Sequence, residues 1–348
     1  MPVPYRRFLL EGLASLMPTP VVVYAARRQL TCFVYHVVSS ERLPHVAHLY
    51  NYCSPESFEQ DLDFIQDNFT IVSYEDIRGC MNNLEALPLN PAAISFDDGM
   101  TECYGVVAPI LRERNIPCLF FLTKNCIDNK KMLHSHVISL VLFSWAKIEG
   151  EGADIAPVCE TMSSLAGKTI ASRESFESWV RSLGHADRPL LDQVAGVLGV
   201  DIAGYLEERK PYLSSEQVSK LAGDGFDFGA HGVTHSDLGK LGDAGIIEEV
   251  VASCHWVQNL LGLPGVPFAF PYGGENIRRD LLARLKEEHE AVDSFFVGID
   301  VPCSKEPCSV GRIWAEWPLD CRRRPLSWNF KKKTMRDQFR KTGISTIG

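Results

Sequence analysis

The chain has 348 residues and a net charge of −9, with 45% apolar and 23% charged residues. Such a length buries a large core, as one large barrel or two ordinary domains, and the acidic balance excludes a nucleic-acid polymer as the main partner. Eleven cysteines are scattered without a CxxC pair, several inside apolar runs, which excludes a zinc ribbon or disulfide framework and reads as reduced, mostly buried thiols of a cytoplasmic protein.

Residues 1–28 form an extension with an amphipathic look. Glu11 interrupts its apolar run and no small-residue cleavage site follows, so it does not read as a signal peptide. No apolar stretch is long enough to cross a bilayer. Leu30 to Val38 is expected to be the first core strand, with His36 in its C-terminal half, and His45 and His48 fall in the next loop, expected at the surface. Ser54-Pro55-Glu56 starts a helix: Ser54 caps, Pro55 suits the first turn, and Phe58, Leu62, Phe64 and Ile65 recur at helical spacing. Thr70 to Ser73 reads as a short strand and Tyr74 to Ile77 as the start of a helix. The apolar run Ala92-Ala93-Ile94 then leads into Ser95-Phe96-Asp97-Asp98-Gly99, followed by a helical segment from Cys103 to Arg114 and the apolar strand Ile116 to Leu122.

Strand and helix alternate here, which predicts a parallel sheet covered by helices. Residues 128–215 break the rhythm with helix-like stretches (His136 to Ile148, Ser175 to Leu183, Pro189 to Leu198) and no clear strand. They read as a helical insertion on one barrel loop that walls or lids a substrate site. Alternation resumes with a helix from Ser215, the strand Phe226 to Ala230, the helix Ala244 to Leu261, the strand Pro267 to Phe270 and the helix Arg279 to His289. Phe295 to Gly298 and Gly311 to Trp314 are expected to be the last strands. The fold class is therefore α/β, with residues 29–320 as the barrel and residues 321–348 as a basic tail.

Chemistry concentrates at three strand ends. Asp97 and Asp98 sit side by side, which is costly because each carboxylate raises the other's pKa. A bound cation or a division of roles removes that cost, whereas the plain alternative is a turn in which one of them caps the next helix. His231 and His235 also follow a strand, and their four-residue interval is expected to place both imidazoles on one face of a helical turn. Parallel barrels collect functional groups at strand C-termini. Two nitrogens and one carboxylate oxygen make a plausible zinc site with open positions, and iron or another divalent ion would suit the same set.

The third strand end is Phe270-Pro271-Tyr272-Gly273-Gly274. Together the three stretches resemble the polysaccharide deacetylase family of carbohydrate esterases: Ser95 to Gly99 for its Thr-Phe-Asp-Asp-Gly, Gly229 to His235 for its Gly-Ala-His-x-x-x-His, and Pro271 to Gly273 for its Pro-Tyr-Gly. The resemblance implies a distorted (β/α) barrel and metal-dependent amide hydrolysis of N-acetylated sugars. It implies Asp97 as general base, Asp98, His231 and His235 as metal ligands, and the Tyr272 N–H, in its turn with Pro271, as an oxyanion donor. Two departures stand out. Ala269 occupies the position where many members carry an Arg that orients the base, and no late Leu-x-His follows Pro271. Arg312, on a late strand, is the candidate to replace the Arg, and His36 the candidate to supply the acid.

The leading reading is N-deacetylation of an N-acetylhexosamine unit in a saccharide, or in a lipid- or nucleotide-linked precursor. Hydrolysis of another amide (an N-formyl sugar or a non-sugar amide) and a carbohydrate-binding homologue with impaired turnover are the alternatives. The basic tail mixes Arg322, Arg323, Arg324, Lys331, Lys332, Lys333, Arg336, Arg340 and Lys341 with Trp328, Phe330 and Phe339. That mixture suits a peripheral contact with an anionic membrane at its inner face.

Overall fold

Eight parallel strands grow from the apolar runs of the sequence: β1 (Thr31–Tyr35), β2 (Thr70–Ile71), β3 (Pro91–Phe96), β4 (Leu119–Leu122), β5 (Asp227–Ala230), β6 (Val266–Ala269), β7 (Val292–Val297) and β8 (Ser309–Trp314). The computed structural model of the chain describes residues 16–81, 86–150, 155–274, 276–298, 309–317, 319 and 325–341, with side chains up to 335. β1 pairs with both β3 and β8, so seven strands close into a barrel in the order β1, β3, β4, β5, β6, β7, β8. β2 is too short to join the ring. It pairs only with the start of β3, at Pro91 and Ala92, while β4 takes the end of that edge, at Ser95 and Phe96. Closure leaves no long free strand edge, and the expected (β/α) barrel is the fold found.

Strand alternation sorts the side chains. On β3, Ala92, Ile94 and Phe96 face the helices, and Phe96 stacks on Tyr35 at 5.3 Å and meets Phe58 edge-on. Ala93 faces the barrel interior with Cys32, Leu119, Phe121, Ala269, Phe296 and Val310. The same parity points Asp97 inward at the top of β3, and Arg312, two residues after Val310, inward from β8. Gly229 on β5 is required by close packing: a Cβ there would stand 2.4 Å from Phe121 Cε1 and 2.7 Å from the Pro267 carbonyl oxygen.

The described helices around the barrel are α1 (Thr19–Ala26), α2 (Pro55–Asn68), α3 (Tyr74–Met81) and α4 (Ala108–Glu113), the last entered through a π turn at Cys103–Val107. Ser54 caps α2 by accepting the Ser57 N–H at 3.3 Å. Between β4 and β5 the expected insertion folds as five helices: α5 (His134–Gly150), α6 (Ala156–Ala166), α7 (Arg173–Ser182), α8 (Arg188–Val197) and α9 (Ile202–Arg209). Trp145 of α5 stacks on Phe176 of α7 at 4.0 Å inside it. The insertion is tied to the turn after β3, where the Thr101 N–H donates to the Pro211 carbonyl and the Leu213 N–H to the Gly99 carbonyl, both at 2.9 Å. The second half continues with α10 (Ser215–Gly223), α11 (Asp243–Leu261), α12 (Arg279–Glu288) and α13 (Leu326–Lys341).

Three local expectations change. The first strand ends at Tyr35, so His36 stands just beyond it rather than inside. His45 and His48 are buried, not at the surface, because the insertion packs over their loop: the Ser139 hydroxyl donates to the Pro44 carbonyl and Tyr205 bonds to His45. Phe330, grouped with the tail for membrane contact, is a core residue on α13, 1% exposed and edge-on to Phe69 at 5.1 Å. Arg322, Arg323, Arg324 and the side chains of Arg336, Phe339, Arg340 and Lys341 lie outside the described residues, as do Cys303, Cys308 and Cys321. Of the other eight cysteines, six are buried.

Candidate metal centre and active site

The turn after β3 is forced into an unusual shape. Asp98 and Gly99 both have positive φ, +71° and +72°, and a Cβ at Gly99 would meet Ile127 Cδ1 at 2.9 Å. A non-glycine residue in the left-handed region carries a local conformational cost, which aspartate bears more easily than most. His231 follows β5 directly, but no helical turn carries it to His235. The chain instead bends through Gly232 (φ +84°) and reaches His235 at φ +62°, which sets the two rings 4.8 Å apart. Glu249 of α11 holds this loop by accepting the Val233 and Thr234 N–H groups at 2.7 and 3.1 Å and the Thr234 hydroxyl at 2.6 Å. The expected convergence of the two imidazoles is thus met by a different backbone.

His231 Nδ1 donates to the Ala269 carbonyl at 2.9 Å, which leaves the Nε2 lone pair facing Asp98. His231 Nε2 is 3.5 Å and His235 Nε2 3.2 Å from Asp98 Oδ1, and that buried oxygen has no hydrogen-bond donor. One ligand atom from each of Asp98, His231 and His235 lies within 4.8 Å of the others. Two lone pairs around an orphaned carboxylate oxygen are the donor set a divalent cation takes, and the three residues fit zinc. Burial pushes the Asp98 carboxyl up, but the His235 and other histidine charges hold it well below the usual range. Burial also lowers the His231 imidazole to about 4, against the pull of Asp97.

Asp97 has the other partner. Arg312 Nη1 donates to both its oxygens, at 2.7 and 2.9 Å, and both side chains are buried. Burial raises the Asp97 carboxyl, and the Arg312 guanidinium, with His231 and His36, pulls it below the ordinary carboxylate value. Ala269, where the expected Arg is missing, contributes a backbone acceptor instead of a charge. The two acids are therefore separated in role by their neighbours, one by a guanidinium and one by imidazoles.

His36 lies across the same cavity, of about 530 Å³, with Asp97, Asp98, Tyr272 and Trp314. Its Nδ1 is 2.6 Å from Glu316 Oε2. Glu316 also accepts the His36 and Val37 N–H groups at 2.7 and 3.0 Å and the Trp314 indole N–H at 2.9 Å. Burial works against a charged His36, but Glu316, followed by Asp98 and Asp97, lifts its pKa from 6.5 to about 9. Tyr272 adopts φ +56° after Pro271, stands half exposed at the rim, and meets the His235 ring edge at 5.2 Å.

The structure thus brings Asp97, Asp98, His231, His235, Arg312, His36 and Tyr272 to one mouth of the barrel. Pro271 sits under the Gly232 bend, where a Cβ would come 3.8 Å from its Cγ. Two residues were not singled out from the sequence. Glu316 has only its position four residues after Arg312 as a signal. His136, at the start of α5, reaches 3.8 Å from Asp98 Oδ2, and its only sequence signal is the His134-Ser135-His136 pair.

Residues 189–288 match the family model described as Polysaccharide deacetylase. The matched stretch carries His231, His235 and Pro271 to Gly273, and Asp97 and Asp98 precede it. No curated protein matches the sequence. Among solved structures the chain is similar to the Streptococcus pyogenes deacetylase PplD in complex with acetate, at 14% identity and TM-score 0.52, over 83% of this chain and 92% of that one. It is similar to IcaB from Ammonifex degensii at 16% identity and TM-score 0.50, over 89% and 97% of the two chains. A third likeness is BC0361, a polysaccharide deacetylase from Bacillus cereus, at 13% identity and TM-score 0.50, over 88% and 69%. At these identities the structural likeness speaks for the barrel fold, and the family model for the second and third motifs.

Proposed function

From its resemblance to the polysaccharide deacetylase family, we propose that this chain hydrolyses the acetamide of an N-acetylhexosamine unit, in a saccharide or in a lipid- or nucleotide-linked precursor. One observation carries the reading: a charged Asp97, clamped by Arg312, stands beside the Asp98–His231–His235 set in a single cavity. Asp98, His231 and His235 would hold the ion. A divalent ion bound there polarises the acyl carbonyl and makes water more acidic.

The remaining work falls to the chain's own groups. Asp97 takes the proton of the attacking water as its oxygen bonds to the carbonyl carbon, and Arg312 keeps the carboxylate ionised and aimed beforehand. The Tyr272 N–H, presented by the turn at Pro271, donates to the developing oxyanion. His36, protonated at neutral pH by its pairing with Glu316, gives its proton to the sugar nitrogen as the C–N bond breaks, which leaves acetate and an amine. Trp314, Tyr50 and Tyr272 give the cavity aromatic faces against which a pyranose ring packs.

The test is acetate release from N-acetylglucosamine oligomers and from nucleotide sugars, with and without a divalent ion. Turnover is expected only with the ion, and Asp98→Ala should lose both ion and turnover. Release that survives chelation, or formate from an N-formyl sugar in place of acetate, would overturn the assignment.

A further inference from the structure

Facing the three barrel side chains across the cavity is the first turn of α5, which belongs to the insertion. It presents His136, whose side chain is fully buried. The ring stacks on Tyr212, with planes 4° apart, and meets His45 edge-on at 5.3 Å. His136 Nδ1 lies 2.7 Å from the Tyr212 hydroxyl, whose oxygen already accepts the Leu133 N–H at 3.0 Å. The hydroxyl can donate to Nδ1, and the carboxylate oxygen that Nε2 faces favours the tautomer that keeps the ring hydrogen there. That Nε2 is buried without a hydrogen-bond partner.

The acceptor it faces is Asp98 Oδ2, at 3.8 Å, whereas His231 and His235 face the other oxygen, Oδ1. The carboxylate is divided: one oxygen looks to the barrel histidines and one to the insertion. Packing alone does not account for a buried, unpartnered donor, since a phenylalanine would fill the space without the desolvation cost.

We propose that His136 is a positioning residue for Asp98, its Nε2–H holding Oδ2 so that Oδ1 is turned toward His231 and His235. A shift of about 1 Å brings the pair to hydrogen-bond length. Partners of this kind orient a ligating carboxylate and raise the affinity of the site. The inference rests on the reading of Asp98, His231 and His235 as a metal site, and it makes the insertion part of that site rather than a cover over it.

Zinc affinity of the full chain, measured by competition with a chromophoric chelator, tests it without any substrate. His136→Phe, which keeps a ring and removes the donor, should bind zinc about 10- to 100-fold more weakly. His136→Gln, whose side-chain amide places a donor near the position of Nε2, should stay close to wild type. Tyr212→Phe keeps the wall's volume, frees the tautomer, and should weaken zinc in the same direction, which covers the case of a His136→Phe chain that does not fold. Unchanged affinity in a folded His136→Phe, a His136→Gln as weak as the Phe variant, or, where His136→Phe does not fold, an unchanged Tyr212→Phe overturns the role. A wild-type chain that binds no zinc overturns the metal reading itself and this inference with it.

Discussion

His36 on the barrel side and the histidines on the insertion side of the cavity are treated in opposite ways. On the barrel side, His36 sits against a carboxylate and is lifted to about 9. On the insertion side and in the loop beneath it, His45, His48, His134, His136 and His185 are all lowered, and burial is the first cause in each; His45 falls to about 2. The hydrogen bonds of three of these rings go to neutral groups, a tyrosine hydroxyl for His45 and for His136 and a backbone carbonyl for His134. The lesson is electrostatic. A neutral wall supplies hydrogen-bond donors without adding cations that would compete for Asp97 and Asp98, so the carboxylates keep their charge for Arg312 and for an ion.

The barrel side should break hardest. Asp97→Asn removes the proposed base while leaving Asp98, His231 and His235 untouched, and turnover should fall roughly 100-fold or more with zinc content unchanged. Wild-type turnover in that variant would reduce Asp97 to a structural partner of Arg312.

Glu316→Gln sharpens the contrast by removing the charge that separates His36 from the wall histidines. With its folded pKa raised, His36 contributes stability that is complete below pH 6.5 and lost as pH rises through about 9. The alkaline limb of the pH–rate profile should therefore move from near 9 toward 6.5 or below in the variant. A profile that does not move would exclude His36 as the proton donor.

The smallest effect belongs to the wall. His45 binds a proton in the unfolded chain below pH 6.5 but stays neutral when folded down to about 2, so stability should fall as pH drops through that window. Between pH 7 and 5 this amounts to about 2 kcal/mol for one fully buried imidazole. Urea midpoints at the two pH values should show a correspondingly flatter dependence in His45→Gln, and equal slopes would mean that His45 is protonated in the folded state.

How legible each side was follows from the range of the forces that build it. Asp97, Asp98, His231 and His235 lie at strand ends inside short motifs, where apolar run, turn glycine and functional group are adjacent in the chain. Even there, the bend at Gly232 and the positive φ of His235 stayed hidden, because spacing alone suggests a helical turn. Arg312 was reachable through the family resemblance, in which Ala269 stands where many members carry an Arg, and through its place on a late strand. Glu316 was not: its value lies in four donors assembled from the turn just after β1 and from β8, at opposite ends of the sequence. His45, His48 and His136 were hidden for the same reason, since their burial is created by helices joined to them only in space.

The backbone ties between Gly99, Thr101 and the segment from Pro211 to Leu213 have a consequence for how the molecule opens. They bind the turn bearing Asp98 to the far end of the insertion, with Met100 and Tyr212 paired as an antiparallel bridge. A motion that frees the insertion must break those bonds, so the two form one cooperative unit in amide exchange. The turn at Asp98 protects its amides no longer than the insertion stays docked. Excising the insertion through Leu213 would leave the Gly99 carbonyl and the Thr101 N–H to water, next to the place where Asp98 and Gly99 adopt positive φ.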